Sequence, residues 1–220
     1  MNKSVKTKDL FDCKTPYLTE LFEKCTYPWE MLPDIKNYIK TLVERGMDGF
    51  TEISEGVFVG ENVKIYPTAV IEPPAIIGAG TEIRPGAFIR GSVITGANCV
   101  IGNSTELKNC ILFDGVQVPH YNYVGDSILG YKAHLGAGAI TSNVKSDKTL
   151  VVIKSPTECV PTERKKVGAF LGDNVEVGCN SVLNPGTVIG KNSRVYPLSC
   201  VRGVIEENCI YKQGGIVKIR

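Results

Sequence analysis

Apolar residues recur every six positions through much of this chain. Between residues 53 and 113 each sixth residue is apolar except Thr95, and the same spacing returns between residues 171 and 201. A period of six fits neither the 3.6-residue period of an α-helix nor the alternation of a long strand. The positions are Ile53, Val59, Ile65, Ile71, Ile77, Ile83, Ile89, Thr95, Ile101, Leu107 and Phe113, then Leu171, Val177, Leu183, Ile189, Val195 and Val201.

This hexapeptide repeat predicts a mainly β fold, a left-handed parallel β-helix with triangular coils. Three six-residue units complete one coil, so each apolar residue stacks on the residue 18 positions later and the inward side chains form a continuous column. The left-handed winding is an exception to the usual right-handed crossover of parallel strands.

Residues 9–46 carry a different pattern, with apolar residues three and four positions apart, which predicts helices. Pro16 and Pro33 suit first helical turns, and Gly46 suits a C-terminal stop. We expect residues 1–50 to form a helical cap that covers the open end of the solenoid or supports a trimer. The β-helix domain is then predicted over residues 51–220.

Two interruptions divide the repeat. The spacing breaks around residues 119–123 and resumes in a new phase at Leu129 and Leu135, whereas residues 142–167 have no six-residue pattern. Insertions in solenoids gather on one face and commonly form the binding surface. Six basic and three acidic residues lie between Lys145 and Lys166. The predicted basic loop could bind an anion, or it could be a solvated loop without a ligand.

Composition narrows the possible functions. The net charge of +2 over 220 residues gives no general electrostatic case for binding nucleic acid or a membrane surface. No apolar run resembles a membrane span or a signal peptide, so we expect a cytoplasmic protein. Its eight cysteines form no CxxC pair and are interpreted as reduced thiols. With only two histidines the three-histidine metal site of gamma-class carbonic anhydrases is not expected.

Three segments carry a resemblance to a known family: residues 106–108, 119–126 and 135–143. They resemble the acetyltransferase domain of the bifunctional glucosamine-1-phosphate acetyltransferase/UDP-N-acetylglucosamine pyrophosphorylase. The residues after them, 164–172, resemble the C-terminal domain of archaeal sugar-1-phosphate nucleotidylyltransferases. The family signature has an Arg, a Lys, a His, a Tyr and an Asn at intervals of 18, 12, 3 and 20. The matching residues are Arg90, Lys108, His120, Tyr123 and Asn143.

The resemblance implies an acetyl-CoA-dependent N-acetyltransferase that acts on a hexosamine 1-phosphate, such as glucosamine or galactosamine 1-phosphate, or a related amino sugar. His120 would be the general base and Asn143 an oxyanion donor. Arg90, Lys108 and Tyr123 would hold the sugar phosphate. The acetyl-CoA phosphates would contact the basic loop through Lys148, Arg164, Lys165 and Lys166.

The family also implies a homotrimer, with the long loop reaching a neighbouring subunit and no metal in acetyl transfer. The chain departs from the family pattern in three ways. Residues 1–50 are too few for a nucleotidyltransferase domain, so we expect no pyrophosphorylase activity. His134 stands where the family commonly has Asn, and Val144 where it has Tyr. We expect both positions at the sugar or acetyl end of the site and His134 to contact the substrate, which leaves open an acceptor other than glucosamine 1-phosphate.

Two other functions remain open at this point. A sugar O-acetyltransferase would use the same histidine but would not require the phosphate-binding pair of Arg90 and Lys108. A non-catalytic solenoid could instead bind a sugar nucleotide, or serve as a scaffold for a separate nucleotidyltransferase, and would function without His120.

Overall fold

Three parallel sheets form the walls of a triangular solenoid. The computed structural model describes residues 5–155, 158–213 and 215–219. Over that part of the chain the backbone winds through about eight turns, and each full turn adds one strand to each wall. The predicted left-handed parallel β-helix is confirmed.

Each sheet is an ordered stack of short strands. Sheet 1 contains Phe50–Ser54, Val57–Gly60, Ala75–Ile77, Val93–Thr95, Cys110–Leu112, Ile128–Leu129, Ala169–Leu171, Thr187–Ile189 and Val204–Ile205. Sheet 2 contains Lys64–Ile65, Glu82–Ile83, Val100–Asn103, Gln117–His120, His134–Leu135, Glu176–Val177, Arg194–Val195, Cys209–Lys212 and Gly215–Lys218. Sheet 3 contains Val70–Glu72, Phe88–Arg90, Glu106–Lys108, Tyr123–Gly125, Ile140–Thr141, Val182–Leu183 and Cys200–Val201.

The inward side chains of each sheet stack from coil to coil. In sheet 3, Leu107 pairs with Ile89 on one side and with Val124 on the other, and all three side chains are fully buried. Burial of one such aliphatic side chain contributes about 1.5–3 kcal/mol. The polar exception Thr95 is also fully buried, and its hydroxyl accepts a hydrogen bond of 3.0 Å from the Gly78 N–H.

The phase break lies at a different place from the one that the sequence pattern predicted. Sheet 1 pairs Cys110 with Val93 and Ile128 with Ile111, a spacing of 17 rather than 18. The corner between sheets 3 and 1 is therefore one residue shorter than the repeat in each of two successive coils. The six-residue spacing is unbroken at residues 119–123. As a result Leu112, and not Phe113, pairs with Thr95 and continues the inward column.

The N-terminal segment forms short helices. They are α1 (Thr7–Leu10), a 3-10 turn (Pro16–Leu18), α2 (Thr19–Lys24), a second 3-10 turn (Pro28–Glu30) and α3 (Ile35–Arg45). The helical spacing was thus predicted correctly, as was the stop at Gly46, whose φ is +85°.

The position of this helical layer corrects the expectation of an end cap. It lies along the outer face of sheet 1, where Phe11 stacks on Phe113 at 5.5 Å and Trp29 contacts Phe170 at 5.8 Å between ring centroids. The Tyr17 hydroxyl donates to the Thr95 carbonyl at 2.7 Å. These contacts span several coils because the outward side chains of sheet 1 are themselves apolar and need cover.

The two ends of the solenoid also differ from a simple continuation of the repeat. Ile53 is 50% exposed and belongs to a strand that pairs antiparallel with Val57–Gly60, so it is not a repeat position. At the other end Gly215–Lys218 pairs antiparallel with Cys209–Lys212 and closes sheet 2 with a strand of opposite direction.

The insertion leaves sheet 3 after Thr141 and returns at Ala169 in sheet 1. It contains an antiparallel hairpin, Val152–Lys154 with Cys159–Pro161. This hairpin packs on the solenoid of its own chain: Ile153 is fully buried, and a Cβ at Gly186 would lie 3.0 Å from its terminal methyl carbon. Contact of the long loop with a neighbouring subunit remains a prediction.

We predict that Phe113→Ala lowers the free energy of unfolding by about 3–5 kcal/mol, because the ring is buried between the solenoid and the helical layer. Urea denaturation of the purified protein measures this. Leu198→Ala is the control, since Leu198 is 80% exposed and its truncation should change stability by less than about 0.5 kcal/mol. Equal effects of the two substitutions would contradict the position of the helical layer.

Candidate active site

Arg90 and Lys108 occupy neighbouring strands of sheet 3. Their strands pair in parallel with Leu107 beside Ile89, so the residues that follow each of these are also level. Because Ile89 and Leu107 face the core, Arg90 and Lys108 face outward. Adjacent strands are about 4.8 Å apart, which places two positive side chains together on one surface.

Glu106 completes this outward cluster. Its Oε1 accepts a hydrogen bond of 2.6 Å from Nη1 of Arg90, and the pKa of Arg90 is raised by that bond. The sequence pattern assigned no role to Glu106. The pair orients the guanidinium through one nitrogen and leaves its other N–H groups available for an anion.

Tyr123 starts the next strand and leans along it. It pairs with Glu106, and a Cβ at Gly125 would overlap its ring and hydroxyl. The ring therefore lies over Gly125, which is the strand partner of Lys108. The Tyr123 hydroxyl accepts a 3.3 Å hydrogen bond from Nδ2 of Asn143. Burial raises the pKa of Tyr123, and the nearby charges of Asp126 and Glu106 raise it further, so the phenol remains protonated at neutral pH.

His120 ends its strand at the corner between sheets 2 and 3, with its side chain exposed. Asn122 fixes the backbone there: it is 2% exposed, its Oδ1 accepts from the His120 N–H at 3.1 Å, and its Nδ2 donates to two carbonyls of the next coil. Over the described residues, no side chain or backbone group contacts the His120 imidazole through a hydrogen bond. Its two nitrogens thus face outward without a protein partner.

Sheet 3 separates His120 from Arg90 and Lys108. His120 lies before the N-terminal ends of the sheet 3 strands, whereas Arg90 and Lys108 lie at the C-terminal ends of theirs. His120 lies five residues before Gly125, the strand partner of Lys108, so at about 3.3 Å per residue the path along the surface is at most roughly 16 Å. The Tyr123 ring extends along its strand from the end near His120 toward the end near Lys108, so it spans part of this distance.

Asn143 follows sheet 3 at the edge where Arg90 and Lys108 end. Its Nδ2 donates to Asp126 Oδ2 at 2.6 Å and to the Tyr123 hydroxyl at 3.3 Å. These two bonds use both amide hydrogens, so the side-chain group left for a ligand is the acceptor Oδ1. The expected role of this amide as an oxyanion donor does not fit that arrangement.

His134 is held elsewhere. It lies in sheet 2 beside Gln117, and its Nδ1 contacts Glu176 Oε2 at 2.8 Å. Gln117 precedes His120 by three residues, so His134 lies roughly 10 Å from His120 along the strand direction. Within one chain the structure does not bring His134 to the surface formed by Arg90, Lys108 and Tyr123.

The four residues predicted to bind acetyl-CoA lie on the insertion. Lys148 is exposed in a turn, Lys165 is exposed, and Lys166 forms a bridge to Val144 between the two stems of the loop. Arg164 is half-buried, and its Nε has no hydrogen-bond partner among the described residues.

A cleft of about 520 Å³ separates the insertion from the later coils, and none of those four residues lines it. The basic residues of the cleft are Lys145, Lys154 and Arg202, and its acidic residue is Asp147, which pairs with Lys145 at 3.3 Å. Lys145 and Lys154 belong to the basic loop of the sequence, but neither was among the residues expected to bind acetyl-CoA. Nothing in the sequence pointed to Arg202, which reaches the cleft only because the solenoid stacks a distant coil beside the insertion.

Among the described residues, no group of three or more His, Cys, Asp or Glu side chains is arranged to bind a metal ion. None of the described helices combines the length and apolar character needed to cross a membrane.

Comparison with known proteins supports the resemblance expected from the motif. Residues 73–155 match the family described as the GMPPB C-terminal domain. The bifunctional protein GlmU of Methanococcus maripaludis strain C5 is 33% identical over 195 residues, 87% of this chain and 47% of that protein. This chain is similar to GlmU over most of its own length. The chain spans about half the length of this relative.

Two other proteins are similar over smaller shares or at lower identity. The bifunctional sugar-1-phosphate nucleotidylyltransferase/acetyltransferase of Sulfurisphaera tokodaii is 33% identical over 151 residues, 63% of this chain and 38% of that protein. The acetyltransferase domain of PglB from Neisseria gonorrhoeae FA1090, solved with acetyl coenzyme A, matches with a TM-score of 0.45. It is 16% identical, and the match covers 83% of this chain and 64% of that one.

We predict that Gly125→Ala moves the Tyr123 ring away from Asn143 without unfolding the protein. The added methyl group would overlap the ring, which can rotate, and the φ of Gly125 is not in the left-handed region. A crystal structure of the variant measures the distance from the Tyr123 hydroxyl to Asn143 Nδ2. Tyr123→Phe is the companion, because it removes the hydroxyl and keeps the ring. An unchanged Tyr123 in Gly125→Ala would contradict this account of the site.

Proposed function

We propose that this protein is an acetyl-CoA-dependent N-acetyltransferase that acts on a hexosamine 1-phosphate. The observation that carries the proposal is the joint match of Arg90, Lys108, His120, Tyr123 and Asn143 to the family signature on coils of the expected fold. Arg90, Lys108, Tyr123 and Asn143 border one outward surface of sheet 3. The similarity to GlmU and to a relative named as an acetyltransferase supports the same reaction class.

Arg90 and Lys108 would bind the sugar phosphate. A phosphate dianion is well matched by a guanidinium fork and a neighbouring ammonium. The Glu106 carboxylate weakens the attraction of Arg90 for phosphate because it already accepts a hydrogen bond from the guanidinium. It also fixes the guanidinium before the substrate binds. Tyr123, protonated at neutral pH, would donate its hydroxyl hydrogen to the sugar or its phosphate.

His120 would act as the general base. The neutral imidazole takes a proton from the acceptor amine while the nitrogen lone pair attacks the thioester carbonyl carbon, which forms the C–N bond. Collapse of the tetrahedral intermediate breaks the C–S bond. The proton held by His120 then passes to the thiolate, so the products are the N-acetyl sugar and CoA.

Asn143 would contribute an acceptor rather than a donor. Its Oδ1 can take a hydrogen bond from an N–H of the acceptor amine and orient the nitrogen lone pair. Backbone N–H groups are then the remaining candidates to stabilise the oxyanion. The reacting groups lie at opposite ends of the strands of sheet 3. The family resemblance implies a homotrimer, and the proposal therefore includes a second copy that closes the site.

The cleft beside the insertion is the proposed site for the phosphates of acetyl-CoA. Lys145, Lys154 and Arg202 supply three positive charges against the single charge of Asp147. Of the residues predicted from sequence, Lys148, Arg164, Lys165 and Lys166 remain candidates on the same insertion, outside the lining of this cleft.

The first test is CoA release from acetyl-CoA with glucosamine 1-phosphate or galactosamine 1-phosphate. We expect release that requires the sugar phosphate and that falls about 10²- to 10⁴-fold in His120→Ala, because a general base is lost. Circular dichroism and native mass determination show whether that variant remains folded and assembled.

Other results of this assay would favour one of the alternative functions. Transfer to a neutral sugar hydroxyl, unaffected by Arg90→Ala, would replace the proposal with O-acetylation. No release with any amino sugar or sugar from a folded protein would favour a binding or scaffold role, and identical activity of His120→Ala would remove His120 as the base.

We also predict that Arg202→Ala raises KM for acetyl-CoA about tenfold and leaves kcat unchanged, because the loss of one charge-assisted hydrogen bond weakens binding of the phosphates alone. Arg194→Ala is the matched control, since Arg194 is an exposed arginine of sheet 2 that does not line the cleft. Dephospho-CoA donors show which phosphate is contacted. Equal KM values for the two variants would remove the cleft from the proposal.

A further inference from the structure

Three side chains form a ladder along the corner between sheets 3 and 1. Asn109, Asp126 and Asn143 are spaced 17 residues apart, and so occupy the same corner of three successive coils. Asp126 is the central member and is 5% exposed. Its Oδ1 accepts from Nδ2 of Asn109 at 2.8 Å, and its Oδ2 accepts from Nδ2 of Asn143 at 2.6 Å.

Asp126 also fixes the backbone around the site. Its N–H donates to the Lys108 carbonyl at 3.0 Å, and its carbonyl accepts from the Gly168 N–H at 2.7 Å. One residue therefore connects the strand that ends at Lys108 with the return of the insertion. Its φ of +47° lies in the left-handed region, as does that of Asn109. Aspartate and asparagine tolerate this conformation better than most residues.

The chemistry of a carboxyl acceptor dictates which way the Asn143 amide faces. A carbonyl oxygen of Asn143 turned toward Asp126 would set two acceptors against each other in a buried position, so Nδ2 must point inward. The second hydrogen of Nδ2 then meets the Tyr123 hydroxyl. Over the described residues no group donates to Asn143 Oδ1, which is directed away from this network.

We propose that Asp126 is a positioning residue that sets the polarity of the active-site amide. By holding Nδ2 of Asn143 inward, it keeps Oδ1 presented to the acceptor amine and holds the Tyr123 hydroxyl in place. Asp126 itself touches neither substrate. This inference rests on the proposed acetyl transfer for its kinetic consequence, while the orientation of the amide can be measured without any activity.

Asp126→Asn is the test, because it keeps the size of the side chain and a residue that accepts positive φ. A carboxamide has one acceptor oxygen, so it can satisfy Asn109 or Asn143 but not both. We expect kcat to fall about 10- to 100-fold, the factor for one hydrogen bond to a charged group, with KM for acetyl-CoA little changed.

Asn109→Gly is the matched control. It removes the bond to Asp126 from the other side, at a position whose left-handed φ glycine also accepts. A purely structural role for Asp126 predicts that both variants lose stability and activity together. A positioning role predicts similar thermal stability for the two variants, with the loss of kcat confined to Asp126→Asn.

The second readout is the side-chain amide resonance of Asn143 in ¹⁵N-labelled protein, assigned by its absence in Asn143→Asp. The hydrogen-bonded amide proton should be shifted downfield and protected from solvent exchange in the wild type and in Asn109→Gly, and should lose both properties in Asp126→Asn. Asp126→Gly removes both acceptor oxygens at a position whose left-handed φ glycine accepts, so an unchanged Asn143 resonance in that variant would overturn the inference even if no acetyl transfer is found. An active wild type with an equally active Asp126→Asn would overturn its kinetic part alone.

Discussion

Stacking of inward aliphatic side chains from one coil to the next sets the geometry of this protein. Ile89, Leu107 and Val124 follow one another in sheet 3 without solvent exposure, and any shift of one residue would turn these side chains outward. The outward positions between them are thereby fixed as well. Arg90, Lys108 and Tyr123 owe their common surface to the buried residues that alternate with them.

The corners adjust this regular stack. Two corners between sheets 3 and 1 are one residue shorter than the repeat. Each has a single residue with left-handed φ, Asn109 or Asp126, whereas the full-length corner before them has two, Gly91 and Ser92. Asn109 and Asn143 both donate hydrogen bonds to Asp126 along this corner. The shortened corners therefore lie directly beside the candidate site and support it.

The helical layer and the insertion share one physical cause. Sheet 1 is apolar on both faces, and its outer residues, such as Ile94 and Phe170, are fully buried under the N-terminal helices. The hairpin of the insertion buries Ile153 in the same manner on the later coils. Both additions cover apolar surface of a solenoid that would otherwise be exposed, and the second one also creates the basic cleft.

The sequence by itself determined the β-helix, the helices of residues 9–46, the basic insertion and the spacing from Arg90 to Asn143, because each depends on a period or interval along the chain. It did not determine that the helical layer lies along the side of the solenoid and not over its end. Nor did it determine that two corners are shortened, or which residues surround the site. Glu106, Asp126 and Arg202 acquired their roles only from coil stacking, which brings residues 16 to 60 positions apart into register or across a cleft. The direction of the Asn143 amide was likewise decided by a buried carboxyl group that no local pattern could reveal.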